Sequence, residues 1–551
     1  MMARRASGVT LPGVLPPLFY LLWFVVLTWP AMAHFSTHLI TDRGDGMTNV
    51  WNLWWMHRAI VELGTWPLYT TYLHYPHGTT LLGHTLNPFN GLVTLPLLEL
   101  VSLTVAHNLV IVSSFVAGGL TAYALCRHVS GSRTGSLWGG FVFTFSSFHF
   151  AHAEGHMQMV SLEWIPLFLL CWLRWLERPG AGRAAAAAGA LVLVLLCDLY
   201  FTLFSLLAAG ILAAWYVLGR GSAPRAALAP MLPSVPVFAV LAGIPVGGFA
   251  VALLLANRRD PFLGVHDAAA SSMDLLAPFV YGGHWRFAVW TAPYWQHLAG
   301  NIHESSLHLG WSVLAALGYL AWNRRRIERP GIAPWLTIAV LFAALALGPT
   351  LRIWGRPLVA LPMPYDLLAA MLPPLRLAGA VARFFVMTYL AAGVLLALAY
   401  PLLRRRVLAR PLCRWLAVAA LLFEYWPAPL PLTRIPVPAY VEALAAAPGE
   451  GGVVDLVDTP PLALYFQTVH HKPMALGYIA RYPLSTVTRG HPILVAARAA
   501  VDPAEPSPEA ATTLARLGFR HLVVPRTGAP VSFLRVRYAD DDVIVYDLAT
   551  S

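Results

Sequence analysis

The chain has 551 residues, of which 58% are hydrophobic and 11% are charged, whereas soluble domains have roughly 45–50% and about 25% of these residues. This composition excludes an ordinary soluble domain and indicates a polytopic membrane protein. A net charge of +11 is also typical of nucleic-acid-binding proteins, but the arginines cluster between apolar runs and form no single basic stripe with interleaved aromatic residues. We therefore expect membrane lipids around the protein and no nucleic acid as a partner.

Apolar runs of bilayer-spanning length recur along residues 1–428, and such runs form transmembrane helices. We predict a polytopic α-helical membrane domain over 1–428 with about eleven spans. The spans are expected near 11–33, 105–127, 135–149, 158–174, 184–200, 201–218, 235–256, 306–322, 333–349, 378–401 and 411–427. The run 88–103 is apolar but short, and we interpret it as interfacial or re-entrant.

Arginine clusters orient the spans, because Lys and Arg concentrate in cytoplasmic loops. With the N-terminus inside, the segments "RRRIER" and "RRRVLAR" fall on the cytoplasmic side. The external loops are then 34–104, 257–305 and 350–377. We expect a multi-pass membrane protein, with its chemistry at the outer face.

Hydropathy falls after residue 428, and the tail 429–551 is typical of a soluble domain. Strands are predicted at "GGVVDLVD", "RHLVVPR" and "RVRYADDDVIVYDLA". The segment "SPEAATTLARLG" predicts a helix that is capped by Ser507 and ended by Gly518. We expect a small extracytoplasmic α/β domain, which either covers the membrane site, holds an acceptor, or is a purely structural cap.

The first external loop begins with "TDRGDGMTNVWNLWW", which contains Asp42 and Asp45. The residues that follow predict a weakly amphipathic helix lying at the membrane interface. A carboxylate at the start of such a helix would be partly desolvated, which strengthens it as a general base. The alternative is that both aspartates are turn or N-cap residues.

A second external motif is "FSSFHFAHAEGHMQM", in which His149, His152 and His156 share one face if the helix continues. That arrangement favours a metal site or a phosphate-contacting patch. If the helix instead breaks near Gly155, the imidazoles hydrogen-bond within the loop. The sequence assigns no residue as a metal ligand. Two alternatives stay open for the cofactor, which are none and a divalent metal.

Two further motifs lie on the same predicted side. In "PPLRLAGAVARFF", Arg376 and Arg383 are seven residues apart and are expected to share a helical face at the external end of a span. A guanidinium suits bidentate phosphate binding, and the alternative is snorkelling to lipid headgroups. The segment "NIHESSLHLGW" brings His303 and Glu304 to the start of another span.

The order of these motifs resembles the GT-C superfamily of membrane glycosyltransferases, especially its YfhO-like bacterial branch. The resemblance rests on "GDGMTNVWNLWW", "FSSFHFAHAEGHMQMVSLEWIPL", "HESSLHLGW", "LGPTLRIWG" and the tail's "ALYFQTVHHKPMALGYIAR". It implies a GT-C-like membrane domain and transfer of a sugar from a polyprenyl-phosphate donor to a hydroxyl of a lipid or glycan acceptor, with inversion. Many members have a paired acidic motif where this chain has "DRGD".

The resemblance also implies roles for particular residues. Asp45, or secondly Asp42, would be the general base, and Arg376 and Arg383 would bind the departing phosphate. The remaining candidate substrate-binding residues are His152, His156, His303 and Glu304. Two alternatives stay open, which are a transporter or flippase of lipid-linked sugars and a non-catalytic glycolipid-binding protein. A transporter would be expected to have polar or broken spans, whereas the spans here are almost uncharged.

Overall fold

A computed structural model describes residues 13–220, 226, 228–264, 266–323, 331–358, 361–372, 375 and 379–548. The chain forms two compact units. One comprises Met1–His34, Asn108–Gly248 and His266–Leu430, and the other comprises Phe35–His107, Phe249–Val265 and Pro431–Ser551. The division differs from the expected boundary between 428 and 429, because Phe35–His107 belongs to the same unit as the tail.

The first unit is built almost entirely of helices. Two of its helices, Leu103–Ser130 and Ile244–Arg259, continue into the second unit. The other α-helices are Leu15–Leu27, Arg133–Thr144, Ser147–Ala153, Met157–Val160, Trp164–Glu177, Ala181–Cys197, Leu199–Leu218, Val235–Phe238, Ala292–Trp295, Ile302–Ser305, Trp311–Trp322, Ile332–Ala346, Pro364–Met371, Phe385–Arg406 and Pro411–Glu424. Tighter or wider helical turns cover Ala31–His34, Ala229–Ser234, Ala239–Gly243, Ala288–Thr291 and Val381–Phe384, and one short hairpin pairs Arg352–Ile353 with Arg356–Pro357.

Five helical segments in the described residues are long and apolar enough to cross a membrane. They are Leu103–Ser130, Met157–Glu177, Leu199–Leu218, Ala229–Arg259 and Val381–Arg406. Shorter apolar helices include Leu15–Leu27 and Ile332–Ala346. The protein is therefore a multi-pass membrane protein, and the number of eleven spans stays a prediction. The run 88–103 contains the helix Pro88–Leu98, whose length of about 16 Å is below the roughly 30 Å of a bilayer core.

The helix Phe385–Arg406 lies in the core of the first unit, since its most apolar stretch is fully buried. Its Gly393 packs backbone to backbone on Gly139. A methyl group at Gly139 would lie 2.5 Å from the carbonyl oxygen of Gly393, so this close helix crossing requires glycine. The two crossing helices adjoin the segments Ser147–Ala153 and Val381–Phe384, which carry part of the candidate site of this unit.

The second unit combines helices with a mixed sheet. The sheet order is Arg535–Ala539, Val543–Asp547, Phe519–Pro525, Gly452–Asp455, and only the last pair is parallel. The α-helices are Asp45–His57, Pro88–Leu98, Ala439–Ala445, Pro460–His470, Leu484–Ala500 and Pro508–Arg516, and Arg58–Glu62 is a π-helical turn. Short two-stranded pairs join Leu39–Ile40 to Leu432–Thr433, Tyr69–Thr70 to Thr79–Thr80, and Phe262–Leu263 to Tyr482–Pro483.

The helix Asp45–His57 is not the interfacial helix that its sequence predicted. Every residue from Gly46 to Met56 is buried. The indole N–H of Trp51 donates to Oε1 of Gln467 at 2.6 Å, and Nδ2 of Asn52 donates to the carbonyl oxygen of Thr85 at 2.9 Å. The prediction was wrong because tertiary partners cover the polar face of the helix.

Candidate functional site

Four short segments of the first unit meet around buried histidines and carboxylates. The hydroxyl of Ser146 accepts the N–H of His149 and begins the helix Ser147–Ala153, which ends before a turn at Gly155. The side chain of Asn301 likewise begins the helix Ile302–Ser305. The loop before Trp285 and the turn Val381–Phe384 complete the arrangement. We call the resulting group the polar cluster; its members are His152, Glu154, His156, His284, His303, Glu304 and Arg383.

Arg383 and Glu304 form a buried ion pair. Nε and Nη2 of Arg383 both donate to Oε1 of Glu304, at 2.8 and 2.6 Å, and only 5% of Arg383 and 7% of Glu304 are exposed. The guanidinium carbon lies 5.2 Å from the centre of the Tyr200 ring, a cation–π geometry. Burial alone raises the pKa of Glu304, but the charge and hydrogen bonds of Arg383 outweigh it and hold that pKa below its ordinary value. The carboxylate is therefore charged.

The other oxygen of Glu304 faces a histidine nitrogen. Oε2 lies 3.8 Å from Nε2 of His152, and neither atom has a hydrogen-bond partner among the described residues although both are buried. Burial, followed by the neighbouring His156 and Arg383, lowers the pKa of His152 well below its ordinary value. Buried polar atoms are normally paired, so a ligand atom or a water between His152 and Glu304 would satisfy both.

Four histidine rings form a row that begins at His152. The ring centres of His152 and His156 are 5.1 Å apart, those of His156 and His303 are 5.3 Å apart, and those of His303 and His284 are 5.0 Å apart. Nδ1 of His284 lies 2.7 Å from the hydroxyl of Ser306. Burial, followed by the neighbouring His284 and His156, lowers the pKa of His303 to about 4. A neutral imidazole such as that of His303 can accept a hydrogen bond or bind a metal.

Three members of the polar cluster fit a divalent metal. Within the described residues, Glu154, His284 and His303 offer donor atoms that all lie within 4.8 Å of one another. Oε2 of Glu154 is 3.4 Å from Nε2 of His284 and 3.9 Å from Nδ1 of His303, and this nitrogen of His303 has no hydrogen-bond partner in the described part of the chain. Two imidazoles and one carboxylate suit zinc and related metals in sites with an open position.

His149 lies outside the polar cluster. Its two ring nitrogens lie 2.7 and 2.8 Å from the carbonyl oxygens of Thr144 and Val160. Its ring also stacks on Phe115, with centres 3.7 Å apart. Because the helix ends at Ala153, the three predicted histidines share no continuous helical face, and His149 has a structural role.

The predicted sharing of one helical face by Arg376 and Arg383 stays a prediction for Arg376. Arg376 lies outside the described residues. Between the two arginines, Gly379 has a φ of +74° and Ala380 has a φ of −85° with a ψ of 78°. Neither backbone conformation continues an α-helix, so Gly379 and Ala380 do not extend the helical turn Val381–Phe384 toward the N-terminus.

Asp42 and Asp45 have different roles in the second unit. Oδ1 of Asp42 accepts the backbone N–H groups of Gly44 and Gly46 at 3.0 and 2.9 Å, as aspartate does in turns. A methyl group at Gly46 would lie 1.9 Å from Oγ1 of Thr41, so this turn requires glycine. Asp42 therefore stabilises the turn, and the order of the two aspartates as general base stays a prediction.

The carboxylate of Asp45 contacts the tail. Asp45 is the first residue of the helix Asp45–His57, and its Oδ1 accepts a hydrogen bond from the hydroxyl of Tyr478 at 2.6 Å. His84 is near enough to respond to this carboxylate, since burial lowers the pKa of His84 to about 3 while the charge of Asp45 opposes the shift. Asp45 thus interacts electrostatically with His84 and accepts a hydrogen bond from Tyr478 of the tail.

Sequence reasoning missed His284. It follows two glycines in the segment "YGGHW", and a methyl group at Gly282 would lie 2.7 Å from the hydroxyl oxygen of Ser306. The glycine therefore lets the His284 loop approach the segment that carries His303 and Glu304. A histidine after paired glycines between two predicted spans was the available signal, but its partners are distant in the sequence.

Comparisons with known proteins address the family and the fold. The family model that matches the sequence is described as DUF6311, a domain of unknown function, and covers residues 18–423. No curated protein matches the chain. The cryo-EM structure of the arabinofuranosyltransferase AftD from Mycobacteria matches with a TM-score of 0.52 and 15% identity, over 98% of this chain and 40% of the AftD chain. The chain therefore spans less than half the length of AftD.

Two crystal structures match with lower scores. The Archaeoglobus fulgidus oligosaccharyltransferase in the apo form has a TM-score of 0.49 and 13% identity, over 93% of this chain and 69% of that chain. ArnT from Cupriavidus metallidurans bound to undecaprenyl phosphate has a TM-score of 0.46 and 14% identity, over 97% of this chain and 98% of that chain.

The likeness to AftD extends over almost the whole chain, and it agrees with the GT-C-like fold that the resemblance implied. The family model covers well over half of the residues. The protein therefore belongs to the DUF6311 family and has the GT-C fold of membrane glycosyltransferases.

Proposed function

We propose that this protein transfers a sugar from a polyprenyl-phosphate donor to a hydroxyl of a lipid or glycan acceptor, at the outer face of the bacterial cytoplasmic membrane. The polar cluster carries the proposal. It contains a buried ion pair between Arg383 and Glu304. Oε2 of Glu304 and Nε2 of His152 have no hydrogen-bond partner among the described residues. Buried ionisable groups are costly in a membrane protein and mark functional sites. The fold likeness to an arabinofuranosyltransferase supports the same reaction class.

Asp45 is proposed as the general base. The acceptor oxygen attacks the anomeric carbon while the bond between that carbon and the phosphate oxygen breaks. The hydroxyl proton passes to the carboxylate of Asp45, and the electron pair of the broken bond leaves with polyprenyl phosphate. A single displacement inverts the configuration at the anomeric carbon. Asp42 is the second candidate, although its Oδ1 already accepts two backbone N–H groups.

Arg383 is proposed to stabilise the charge of the departing phosphate. Glu304 and the ring of Tyr200 hold its guanidinium in place before a substrate binds, and a preorganised charge stabilises a transition state without a cost of reorganisation. Arg376 is proposed for the same task on the basis of its sequence position.

The histidines and the metal-compatible residues are proposed to bind substrate. His152 and His156 are proposed to hydrogen-bond the sugar or the phosphate, and His303 and Glu304 to complete that site. A divalent metal held by Glu154, His284 and His303 would supply further positive charge for the phosphate.

Membership in the YfhO-like branch and the membrane orientation are part of the same proposal. The arginine clusters between apolar runs support an N-terminus on the cytoplasmic side and an external tail. This orientation would present the scissile bond of a lipid-linked donor at the outer headgroup level.

The decisive experiment follows transfer of labelled sugar from a panel of polyprenyl-phosphate donors by the purified protein in lipid. We expect transfer by the wild type and a fall of roughly 10²–10⁴-fold in Asp45→Asn, the range for loss of a general base. The melting temperature should stay unchanged because the amide is nearly isosteric. The control Asp541→Asn, at an exposed position, should transfer normally.

Three outcomes would overturn the proposal. Full transfer by Asp45→Asn would remove Asp45 as the base. Movement of the lipid-linked sugar across the bilayer without transfer would favour a flippase. Donor binding without turnover in the wild type, with every donor and acceptor, would favour a non-catalytic glycolipid-binding protein.

A further inference from the structure

The phenol of Tyr478 touches the proposed base. Its hydroxyl donates to Oδ1 of Asp45 at 2.6 Å, a distance typical of strong O–H···O⁻ hydrogen bonds. The two residues are 433 positions apart in the chain. The match to DUF6311 ends at residue 423, so the phenol comes from outside the matched residues.

The backbone around Tyr478 is held by a second tyrosine. The hydroxyl of Tyr482 accepts the N–H of Ile479 at 3.0 Å and donates to the carbonyl oxygen of Gly477 at 3.1 Å. Ile479 is itself only 3% exposed and packs in an apolar cluster with Trp51. The loop is therefore clamped on both sides of Tyr478, and the direction of its phenol is set before any substrate binds.

His84 connects the same loop to the helix that begins with Asp45. Nδ1 of His84 accepts the N–H of Ala480 at 3.1 Å, so its Nε2 carries the proton and donates to Oδ1 of Asn52 at 2.8 Å. Asn52 lies two turns after Asp45 in the helix Asp45–His57. The helix and the tail loop are thus joined by two polar contacts, Asp45 with Tyr478 and Asn52 with His84.

We propose that Tyr478 is a positioning residue, whose phenol holds the Asp45 carboxylate in the orientation from which it takes the acceptor's proton. The inference rests on the proposed function, in which Asp45 is the base. Tyr478 itself neither takes the proton nor touches the reacting atoms. On this basis the tail contributes a residue to the active site and is more than a structural cap.

The test is Tyr478→Phe, which removes the hydroxyl and keeps the ring. We expect turnover to fall roughly 10- to 100-fold, as for loss of one hydrogen bond to a charged group, with the donor KM unchanged. A hydrogen-bond donor stabilises the charged form of a carboxylate. Because Tyr478→Phe removes this donor, the acidic limb of the kcat profile should move to higher pH. The other titratable groups acting on this pair are Asp42, His84 and Tyr482, and none of them is altered.

A matched control exists in the same unit. The hydroxyl of Tyr538 donates to Oδ2 of Asp540 at 2.8 Å on an exposed surface, and Tyr538→Phe should change neither turnover nor the pH profile. If Tyr478→Phe does not fold, 3-fluorotyrosine at position 478 serves instead. This stronger donor should move the acidic limb to lower pH.

A double-variant cycle separates the possible failures. In the Asp45→Asn background, Tyr478→Phe should cause little further loss, because the phenol acts through that carboxylate. An equal loss in both backgrounds would overturn the inference. Wild-type turnover and pH profile in Tyr478→Phe, with Asp45→Asn inactive, would also overturn it while the proposed function stands. Activity in Asp45→Asn would remove the proposed base and this inference with it.

Discussion

Arg383 donates both Nε and Nη2 to a single oxygen of Glu304 and leaves the other oxygen 3.8 Å from His152. The pair Arg537–Asp547 differs, because there the guanidinium contacts both carboxylate oxygens, at 2.6 and 3.0 Å. The two-oxygen geometry is the usual one for a paired arginine. The arrangement at Glu304 therefore keeps an acceptor oxygen directed at a histidine, as expected for a site that receives a ligand.

The buried pair should be sensitive to loss of one partner. Arg383→Ala leaves the Glu304 carboxylate buried without its counter-charge, and we expect a destabilisation of about 3–5 kcal/mol. Arg383→Lys keeps the charge but loses the planar fork, so donor use should fall less than in Arg383→Ala. Thermal unfolding in detergent and turnover with the preferred donor measure the two effects.

The pair Arg537–Asp547 provides the control for that comparison. Its side chains are 25% and 18% exposed, and Arg537→Ala should cost only about 1 kcal/mol or less. The double variant Arg383→Met with Glu304→Leu separates stability from function. If it restores both the melting temperature and turnover, the pair is purely structural.

Asp42 and Asp45 should respond differently to amide substitution. Asp42→Asn keeps an oxygen that can accept the N–H groups of Gly44 and Gly46, so stability and turnover should stay near wild type. Asp42→Ala loses that acceptor and should cost about 1 kcal/mol, as for loss of a helix cap. Melting temperatures and transfer assays check both. An inactive Asp42→Asn beside an active Asp45→Asn would move the base to Asp42, and full activity in the double variant would end the carboxylate mechanism.

A divalent metal should bind at Glu154, His284 and His303. Calorimetric titration of chelator-treated protein with Zn²⁺ should detect a site that His303→Ala weakens strongly, because two remaining ligands hold zinc poorly. The exposed His77 offers a control, and His77→Ala should bind as wild type does. Identical binding by all three proteins would mean that the polar cluster holds no metal and that these residues act through hydrogen bonds.

Acid should destabilise the second unit through His470. Its Nδ1 accepts the N–H of Lys472 at 3.0 Å, and burial, followed by the charge of Lys472, lowers the pKa of His470 to about 3. The unfolded chain takes up this proton below about pH 6.5, whereas the folded protein does not until about pH 3. Stability should therefore fall with decreasing pH across that window, by up to about 1.4 kcal/mol per pH unit for one proton.

The substitution His470→Asn tests this linkage, because the amide oxygen replaces the acceptor nitrogen without titrating. Melting temperatures between pH 7 and pH 5 should fall less steeply in His470→Asn than in the wild type. His491→Gln, at an exposed position, should leave the slope unchanged. An identical slope in all three proteins would contradict the assignment.

The predicted membrane orientation can be tested with a reporter that distinguishes the two sides of the membrane. A fusion after Ser551 should report an external location, and a fusion after Arg410 should report a cytoplasmic one. A cytoplasmic signal from the first fusion would mean that one span was miscounted. The miscounted span would then be 88–103, although its helix Pro88–Leu98 is short for a span.

Composition and local pattern determined the class of this protein. The excess of apolar residues identified a membrane protein, since hydrocarbon requires apolar side chains over about twenty residues. Ser507 and Gly518 marked the helix Pro508–Arg516 because caps act within a single turn. The possible break near Gly155 was likewise visible in the sequence and agrees with the end of the helix at Ala153.

The tertiary structure decided the partners of the candidate residues. Glu304 and Arg383 were both recognised, but their pairing across 79 positions was not, and His284 was missed. The contact of Asp45 with Tyr478, 433 positions away, was likewise not predicted. Sequence patterns report contacts within a few residues, because helices, turns and caps are local. The environment of a buried carboxylate is set by whichever distant segments pack around it, and only the folded chain brings those segments together.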